Sequence, residues 1–547
     1  ILVKSGSDID VRQVICRYTI NGVKPTRDQG NEVGFQQSTV EWDTLNWGYL
    51  KTWKAEIPPQ PDGTIVRYQI EAQLSGGGTP LLAENGGCFS YLVDVPGTPA
   101  WVQDAIIYHI FLDRFHPGDQ GQWKPVTGPA DFYGGTIRGA IDKIGYLSDL
   151  GVNCLWLSPC FPSPSHHGYD ATDLCGVEPR LGTLGDLEEL IAGAHQRGIR
   201  VLLDFIANHV SNQHPIFLEA ASNRNSAYHS WFTWKSWPGE YESFFGVREL
   251  PEINIAHPDA RSHVIEAALF WINKYHVDGF RLDYAHGLPL DFWVDFRQAV
   301  KSANPDAWLL GEIVETAEVQ RSFEGRLDGS LDFLLLQALR GVFATNGWDL
   351  KKFDAFLRAH ESYFPATFSR PSFLDNHDMN RFFWVVEEES AKLRLAALCQ
   401  FTLAGAPIIY YGTEVGLSQE REIWREDGGF LEESRLAMLW DEAQDVSLRE
   451  YYRRLIALRK AHPVLWRGTR ETLHVDASKG TYAYSRCDES EELIVVLNNS
   501  GCSRVVNLET DLHKDLLHHR TYPVKSNQVE LTLSPYSGVV LGRQTNP

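Results

Sequence analysis

Arg281 and Asp283 stand two residues apart in the stretch GFRLDYAHG, residues 279–287. On an extended strand, residues i and i+2 leave on the same face. A guanidinium and a carboxylate would therefore sit side by side at the strand's end. Other acids recur in the same setting. Glu312 ends AWLLGE, Asp378 ends SFLDNHD, and Asp204 lies in DFIANH, each after a short apolar run. DFIANH also supplies Asn208 and His209, FLDNHD supplies Asp375, Asn376 and His377, and SPSHHGYD supplies His166, His167, Tyr169 and Asp170. A single acid after a strand is ordinarily a helix cap. Capping does not account for a whole set of like charges gathered at one end of successive strands, where they repel and raise one another's proton affinity.

Two carboxyl groups about 5–5.5 Å apart are the machinery of a retaining glycosidase: one attacks the anomeric carbon, the other protonates the leaving oxygen. On that chemistry Asp283 is the nucleophile, kept ionised and oriented by Arg281. Glu312, facing the charges of Asp283 and Asp378, has a raised pKa and is the proton donor. Asp378 binds sugar hydroxyls and stabilises the oxocarbenium-like transition state. Asp283, Glu312 and Asp378 are the candidate catalytic residues.

These residues are far apart in the chain, so a fold must bring them together. From about Asp104, short buried strands alternate with amphipathic helices. Strands are predicted at 105–111, 153–157, 200–205, 278–283, 307–312, 330–333, 372–378 and 406–412, with helices at 136–150, 186–197 and 259–275. Eight strands with helical connections predict an α/β protein of (β/α)8 TIM-barrel type, whose strand C-terminal ends face the active site. Residues 207–257 are too many for a βα loop and predict a small subdomain inserted after strand three. Thr64–Leu74 alternates with period two between turn-forming QPDG and SGGG segments, the pattern of a half-exposed strand. The domain reading is an N-terminal β-sandwich over 1–100, a catalytic barrel over 101–465, and a C-terminal β-sandwich over 466–547. Val95–Trp101 reads as a linker.

Composition narrows the partners. The 547 residues carry a net charge of −21, which disfavours nucleic acid and anionic membranes as partners and leaves a neutral substrate open. No apolar run approaches the roughly 20 residues of a membrane helix. Eight scattered cysteines without C-x-x-C spacing argue against a zinc site and favour free thiols. Trp42, Trp47 and Trp53 suit either a sugar platform or the sandwich core, with the core preferred.

DFIANH, GFRLD, GE and FLDNHD, in this order and spacing, resemble the conserved regions of the α-amylase family (glycoside hydrolase family 13) over about residues 101–450. YHIFLDRF (108–115) and GAPIIYYGTEVG (405–416) are similar to family segments at strands one and eight. The resemblance implies Asp283 as nucleophile, Glu312 as acid/base and Asp378 as the third acid. It implies Arg281, His209 and His377 around the bound sugar, Tyr169 beneath it, and His167 and His286 as further substrate contacts. The preceding β module resembles the neopullulanase, cyclomaltodextrinase and maltogenic amylase subfamily, in which that module often covers a partner's active site in a dimer. Against that pattern Glu252 replaces a lysine, Val314 a tryptophan, and His286–Gly287 a Lys-His pair on the leaving-group side.

The expected activity is cleavage of α-1,4-glucosidic bonds in malto-oligosaccharides, cyclodextrins, pullulan or starch through a covalent glycosyl-enzyme, with transfer to sugars as a second outcome. The alternative is an α-glucan transferase or isomerase of trehalose-synthase type using the same acids. A non-catalytic barrel would ordinarily have lost a carboxylate, and all three are present. No cofactor is required. Calcium is the one ion the resemblance admits, near Asn208 or in the acidic loop DRFHPGDQG. A homodimer and a cytoplasmic location are expected, with secretion after signal removal as the other possibility, since the chain starts without Met.

Overall fold

The computed structural model describes residues 1–45, 47–83, 88–94, 97–118, 121–425, 430 and 432–543. It divides into two compact units, one of residues 1–97, 288–302 and 323–327 and the other of residues 98–287, 303–322 and 328–547.

The first unit carries two antiparallel sheets. Leu2–Gly6, Gly48–Lys54 and Gln36–Asp43 form a three-stranded sheet, and Val11–Thr19 and Ile65–Leu74 centre a five-stranded one. Val14, Cys16, Trp53, Val66 and Ile70 are buried in its core. The preference for Trp42, Trp47 and Trp53 as core residues therefore holds only for Trp53. Trp42 is 50% exposed and Trp47 79%, because both lie at the tip of the hairpin beyond the sheet's packed face. The helix Leu290–Ala303 lies almost wholly within this unit. Buried Arg67 grips it, at 3.2 Å from Asp291 and 2.6 Å from Asp295, and Arg297 bonds Asp94 at 2.9 Å. The two acids are one helical turn apart, so one guanidinium can hold both. Of the expected linker, Val95 and Pro96 lie outside the described residues.

The second unit is built around a parallel sheet. Its strands are β1 (Ile107–Ile110), β2 (Cys154–Leu157), β3 (Arg200–Ile206), β4 (Gly279–Asp283), β5 (Trp308–Gly311), β6 (Gly329–Ser330) and β7 (Ile408–Tyr410). The order across the sheet is β6-β5-β4-β3-β2-β1-β7, every pairing parallel. Nearly every strand residue is buried, as expected when both sheet faces are covered. Ile107, Trp156, Leu202, Trp308, Leu310 and Ile408 share one core.

The stretch 372–378 was expected to be the seventh strand. It forms only single parallel bridges, together with its neighbours: Ser369 to Gly329 and Ser372 to Pro407. These still join β6 to β7. Ser330 N–H donates to Ser369 O at 3.0 Å, Asp332 N–H to Pro371 O at 3.0 Å, and Ile408 N–H to Ser372 O at 2.7 Å. Pro371 lacks an N–H and cannot donate to a ladder, so the curled sheet closes through isolated bonds. SLDF, expected as a strand, is a strand-to-helix junction. Asp332 caps the helix Phe333–Phe343, its side chain accepting from Leu335 N–H at 2.9 Å.

The segment after β3 folds as a helix, Pro215–Ser222, and a hairpin, Trp234–Ser236 with Glu240–Tyr241. It returns to pair with its own start: Val210 N–H donates to Pro251 O at 3.2 Å and Ile253 N–H to Asn208 O at 2.9 Å. Beyond the barrel, a six-stranded and a three-stranded antiparallel sheet enclose Val496, Leu508, Leu531 and Leu541. All eight cysteines are free thiols. Among the described residues no helix is long and apolar enough to cross a membrane.

Gly279 opens β4, the strand bearing Arg281 and Asp283. Its φ is 141°, and a Cβ there would lie 2.1 Å from Trp308 O and 2.5 Å from Trp308 N. Backbone on the neighbouring strand cannot give way as a flexible side chain would. Gly279→Ala is predicted to cost about 3 kcal/mol of stability. Thermal unfolding checks this, and a midpoint unchanged within about 1 °C would refute it.

Candidate active site

Parallel register sets the centre. Asp204 on β3 faces Arg281 on β4, and Leu282 faces Gly311 on β5. Asp283 and Glu312 therefore end adjacent strands, and Glu312 N–H continues the ladder to Leu282 O at 2.9 Å. Arg281 is fully buried. Its Nη1 donates to Asp204 Oδ1 at 2.8 Å and to Asp283 Oδ1 at 2.7 Å, and its Nη2 lies 2.5 Å from Glu312 Oε1. This last approach is an ion pair without hydrogen-bond alignment, since Nη2 points no N–H at an acceptor. Glu312 Oε2 accepts instead from Tyr284 N–H at 3.1 Å. One guanidinium thus spans the two expected catalytic carboxyls and a third from β3.

Asp378 belongs to a second cation. Arg435 Nη2 donates to its Oδ1 at 2.8 Å, and His377 Nε2 lies 3.0 Å from its Oδ2. The Asp378 side chain is 44% exposed. Arg435 also donates to Glu432 Oε2 at 2.6 Å and to His377 O at 2.9 Å. Glu432 in turn meets His166 Nε2 at 3.1 Å. Sequence reading missed Arg435 and Glu432. They lie in the irregular chain after β7, where no periodicity or motif marks them.

Tyr169, expected beneath the sugar, braces the inner acids. Its hydroxyl donates to Asp204 Oδ2 at 3.0 Å and lies 2.7 Å from His377 Nε2, with the two rings stacked at 5.4 Å. Trp156 Nε1 supplies another donor to Asp204 Oδ2, at 3.0 Å. His209 Nε2 donates to Tyr169 O at 3.1 Å, which fixes that loop. His167 stands one layer out, with its Nδ1 accepting from Tyr169 N–H at 3.1 Å. His286 packs on Tyr284 at 4.4 Å, and its ring hydrogen-bonds the Glu312 backbone. The side chain of Asn208 is engaged by Glu252 and by the His209 ring at 3.4 Å. Among the described residues no cluster of three or more His, Cys, Asp or Glu is arranged to hold a metal ion. Asp119 of the acidic loop lies outside the described residues.

Burial dominates the electrostatics. It pushes Asp283 up to about 7, with Arg281 opposing and Asp204 adding to the rise. It raises Asp204 to about 6 against the pull of Arg281. It raises Glu312 as well, opposed by Arg281 and reinforced by Asp283 and Asp378. Asp378 goes the other way: burial works to raise it, but His377 and Arg435 outweigh burial and hold it below the usual carboxylate range. The expected pull of Arg281 on Asp283 toward the ionised form is present, with burial acting against it. The cation is divided among three acids in a buried site, where desolvation is the largest influence. Burial also lowers His377, and lowers His209 and His167 to about 4, which favours the neutral form of these rings at neutral pH.

A parallel barrel with carboxyls clustered at its strand ends defines a class of glycoside-processing enzymes. The family profile described as "Alpha amylase, catalytic domain" matches residues 109–444. "Alpha-amylase 2" of Dictyoglomus thermophilum is 35% identical over 490 residues, 89% of this chain and 84% of that protein. A "Cyclomaltodextrinase" of a Bacillus species is 35% identical over 496 residues, 86% and 83% of the two chains. A solved structure of a "Cyclomaltodextrinase" superposes with a TM-score of 0.76 at 30% identity, covering 99% of this chain and 96% of that one. This chain belongs to the α-amylase family of glycosidases.

The raised acids make a prediction for stability. An unfolded Asp283 releases its proton near its ordinary value of 3.8, whereas the folded site retains it to about 7. Its contribution to stability is full below the unfolded value and is lost as pH rises through the folded one. Asp283→Asn should therefore raise the unfolding midpoint at pH 7.5 by roughly 2–4 °C. The gain should shrink toward pH 4, as scanning calorimetry at both pH values would reveal. An equal gain at both would contradict it.

Proposed function

We propose that this enzyme is a retaining α-glucan hydrolase that cleaves α-1,4 bonds in malto-oligosaccharides, cyclodextrins, pullulan or starch. The observation that carries the reading is the single Arg281 guanidinium joining Asp283 to Glu312 at the ends of neighbouring strands. The cyclomaltodextrinase likeness over nearly the whole chain supports the substrate class.

In this reading the sugar enters over Asp378, whose low proton affinity suits it to accept from sugar hydroxyls and to balance cationic charge at the anomeric carbon. Arg435 and His377 hold that carboxylate in place. The protonated Glu312 gives its proton to the glycosidic oxygen as the C–O bond breaks, and Asp283 forms the glycosyl ester on the opposite face. Water then attacks the anomeric carbon, losing its proton to Glu312 and releasing Asp283. Two inversions return the α-anomer. Tyr284 N–H aims Glu312 throughout, and Tyr169 and His377 close the inner wall.

Asp283→Asn should lower kcat on maltotriose by about 10⁴-fold or more while leaving the far-ultraviolet spectrum intact. Glu312→Gln should lose about 10²–10⁴-fold on maltotriose, but much less on a substrate whose leaving group needs no proton. Rates on β-cyclodextrin, pullulan and soluble starch, with the first product's anomer followed by NMR, test the class directly. Initial release of β-anomers would sink the retaining mechanism, and a dominant isomer of the input sugar would replace hydrolysis by isomerisation.

A further inference from the structure

Tyr284 lies beside the proton donor, and neither its ring nor Gly287 has a part in the scheme above. Tyr284 follows Asp283 directly and has a φ of 44°, a left-handed conformation that costs a bulky residue energy and is retained where surroundings enforce it. Its amide is bonded to Glu312 Oε2. Its ring packs 4.8 Å from Phe244, 5.3 Å from Phe245 and 4.4 Å from His286. Phe245 is 76% exposed, also with a left-handed φ, of 47°. A Cβ on Gly287 would fall 2.1 and 2.4 Å from two carbons of the Tyr284 ring. Gly287 has no positive φ, so its bare Cα is needed for space and not for backbone freedom. The ring and the glycine are fitted to one another, beside the acid and on its outward side. Val314, two residues beyond Glu312, adds a 55% exposed apolar side chain.

We propose that Tyr284, seated on Gly287 and backed by Phe244 and Phe245, is the specificity-determining residue on the leaving-group side. It receives a flat apolar face by stacking: the pyranose of the departing sugar, an aryl aglycone, or an incoming acceptor sugar. The proposal rests on the glycosidase reading. A half-exposed aromatic wall next to Glu312 offers surface where the sequence pattern led one to expect a cationic pair, and a neutral ring face suits a neutral sugar ring. The same wall holds an acceptor when the glycosyl-enzyme is resolved. The acceptor hydroxyl oxygen then bonds to the anomeric carbon, the ester bond to Asp283 breaks, and the hydroxyl proton passes to the Glu312 carboxylate. Stacking there favours transfer over hydrolysis because the wall excludes water as it holds the sugar.

Three substrates and four variants test this. α-Maltosyl fluoride has a leaving group too small to stack, whereas maltotriose and 4-nitrophenyl α-maltoside each present a ring. In Tyr284→Ala and in Phe245→Ala, the ratio of kcat/KM for maltotriose to that for the fluoride should fall about fivefold to tenfold. The nitrophenyl substrate should follow maltotriose, and transfer products at high maltotriose should decline. Gly287→Ala should displace the ring and give the same fall, while adding less than about twofold once Tyr284 is already Ala. Equal losses on the fluoride and maltotriose in every variant, or an additive Gly287→Ala effect in the double variant, would overturn the proposal. Phe245, being exposed, guards against misfolding as the explanation for the Tyr284 result. Failure of the parent enzyme to release fluoride would instead refute the glycosidase reading itself.

Discussion

A single buried guanidinium holds three carboxyl groups together, and the rest of the barrel can be understood as the frame that makes this possible. Arg281 reaches Asp204, Asp283 and Glu312 at once. One positive charge cannot neutralise three negative ones. Taking the surplus charge out of water is costly, so burial pushes all three acids toward their protonated forms. Desolvation, the largest influence on all three acids, therefore supplies what an acid catalyst needs at neutral pH. Trp156 Nε1–H and the Tyr169 hydroxyl, both bonded to Asp204, limit the repulsion without adding charge. Asp378 takes its hydrogen-bonding partners elsewhere, from Arg435 and His377, while its charge still raises Asp283 and Glu312.

That division depends on register. Shifting β4 by one residue against β3 would turn Arg281 to the opposite face and leave three buried acids with no cation. Gly279 allows the close approach of β4 to the backbone of β5, and the single bonds around Pro371 join β6 to β7 without a regular strand. At the other side of the centre, Arg435 arrives from irregular chain and is fixed by contacts it makes with the site itself: Glu432, His377 O and Asp378. The first arginine is placed by a sheet and the second by its own salt bridges.

The sequence made most of this frame legible because its signals are local. Apolar runs ending in acids betrayed the strands, and Arg281 and Asp283 shared a face by spacing alone. The seventh strand misled because an apolar run with a proline looks like a strand and can supply only isolated bonds. Arg435 and Glu432 were invisible because nothing near them in the chain distinguishes an arginine that reaches a carboxylate from one in solvent. The proton affinities were the least legible. Spacing showed that Arg281 would touch Asp283, but only the fold reveals that the same nitrogen also serves Asp204 and that the group is buried. Trp42 and Trp53 look alike in sequence, and only the position of the hairpin tip separates an exposed indole from a buried one.

The arrangement also explains how one residue can be acid in the first half of the proposed cycle and base in the second. Glu312 is raised by burial and by the charge of Asp283, and lowered by Arg281. When Asp283 becomes an ester it loses its charge, and a raising influence on Glu312 disappears. Arg281 loses a competitor at the same moment, so more of its field falls on Glu312. Both changes act in one direction: the proton affinity of Glu312 drops just after it has given up its proton, and it remains a carboxylate able to take one from water or from an acceptor hydroxyl. Asp378, held low by Arg435 and His377, remains an anion in the proposed cycle. Separate cations thus let one carboxylate change role while its neighbour keeps the same one.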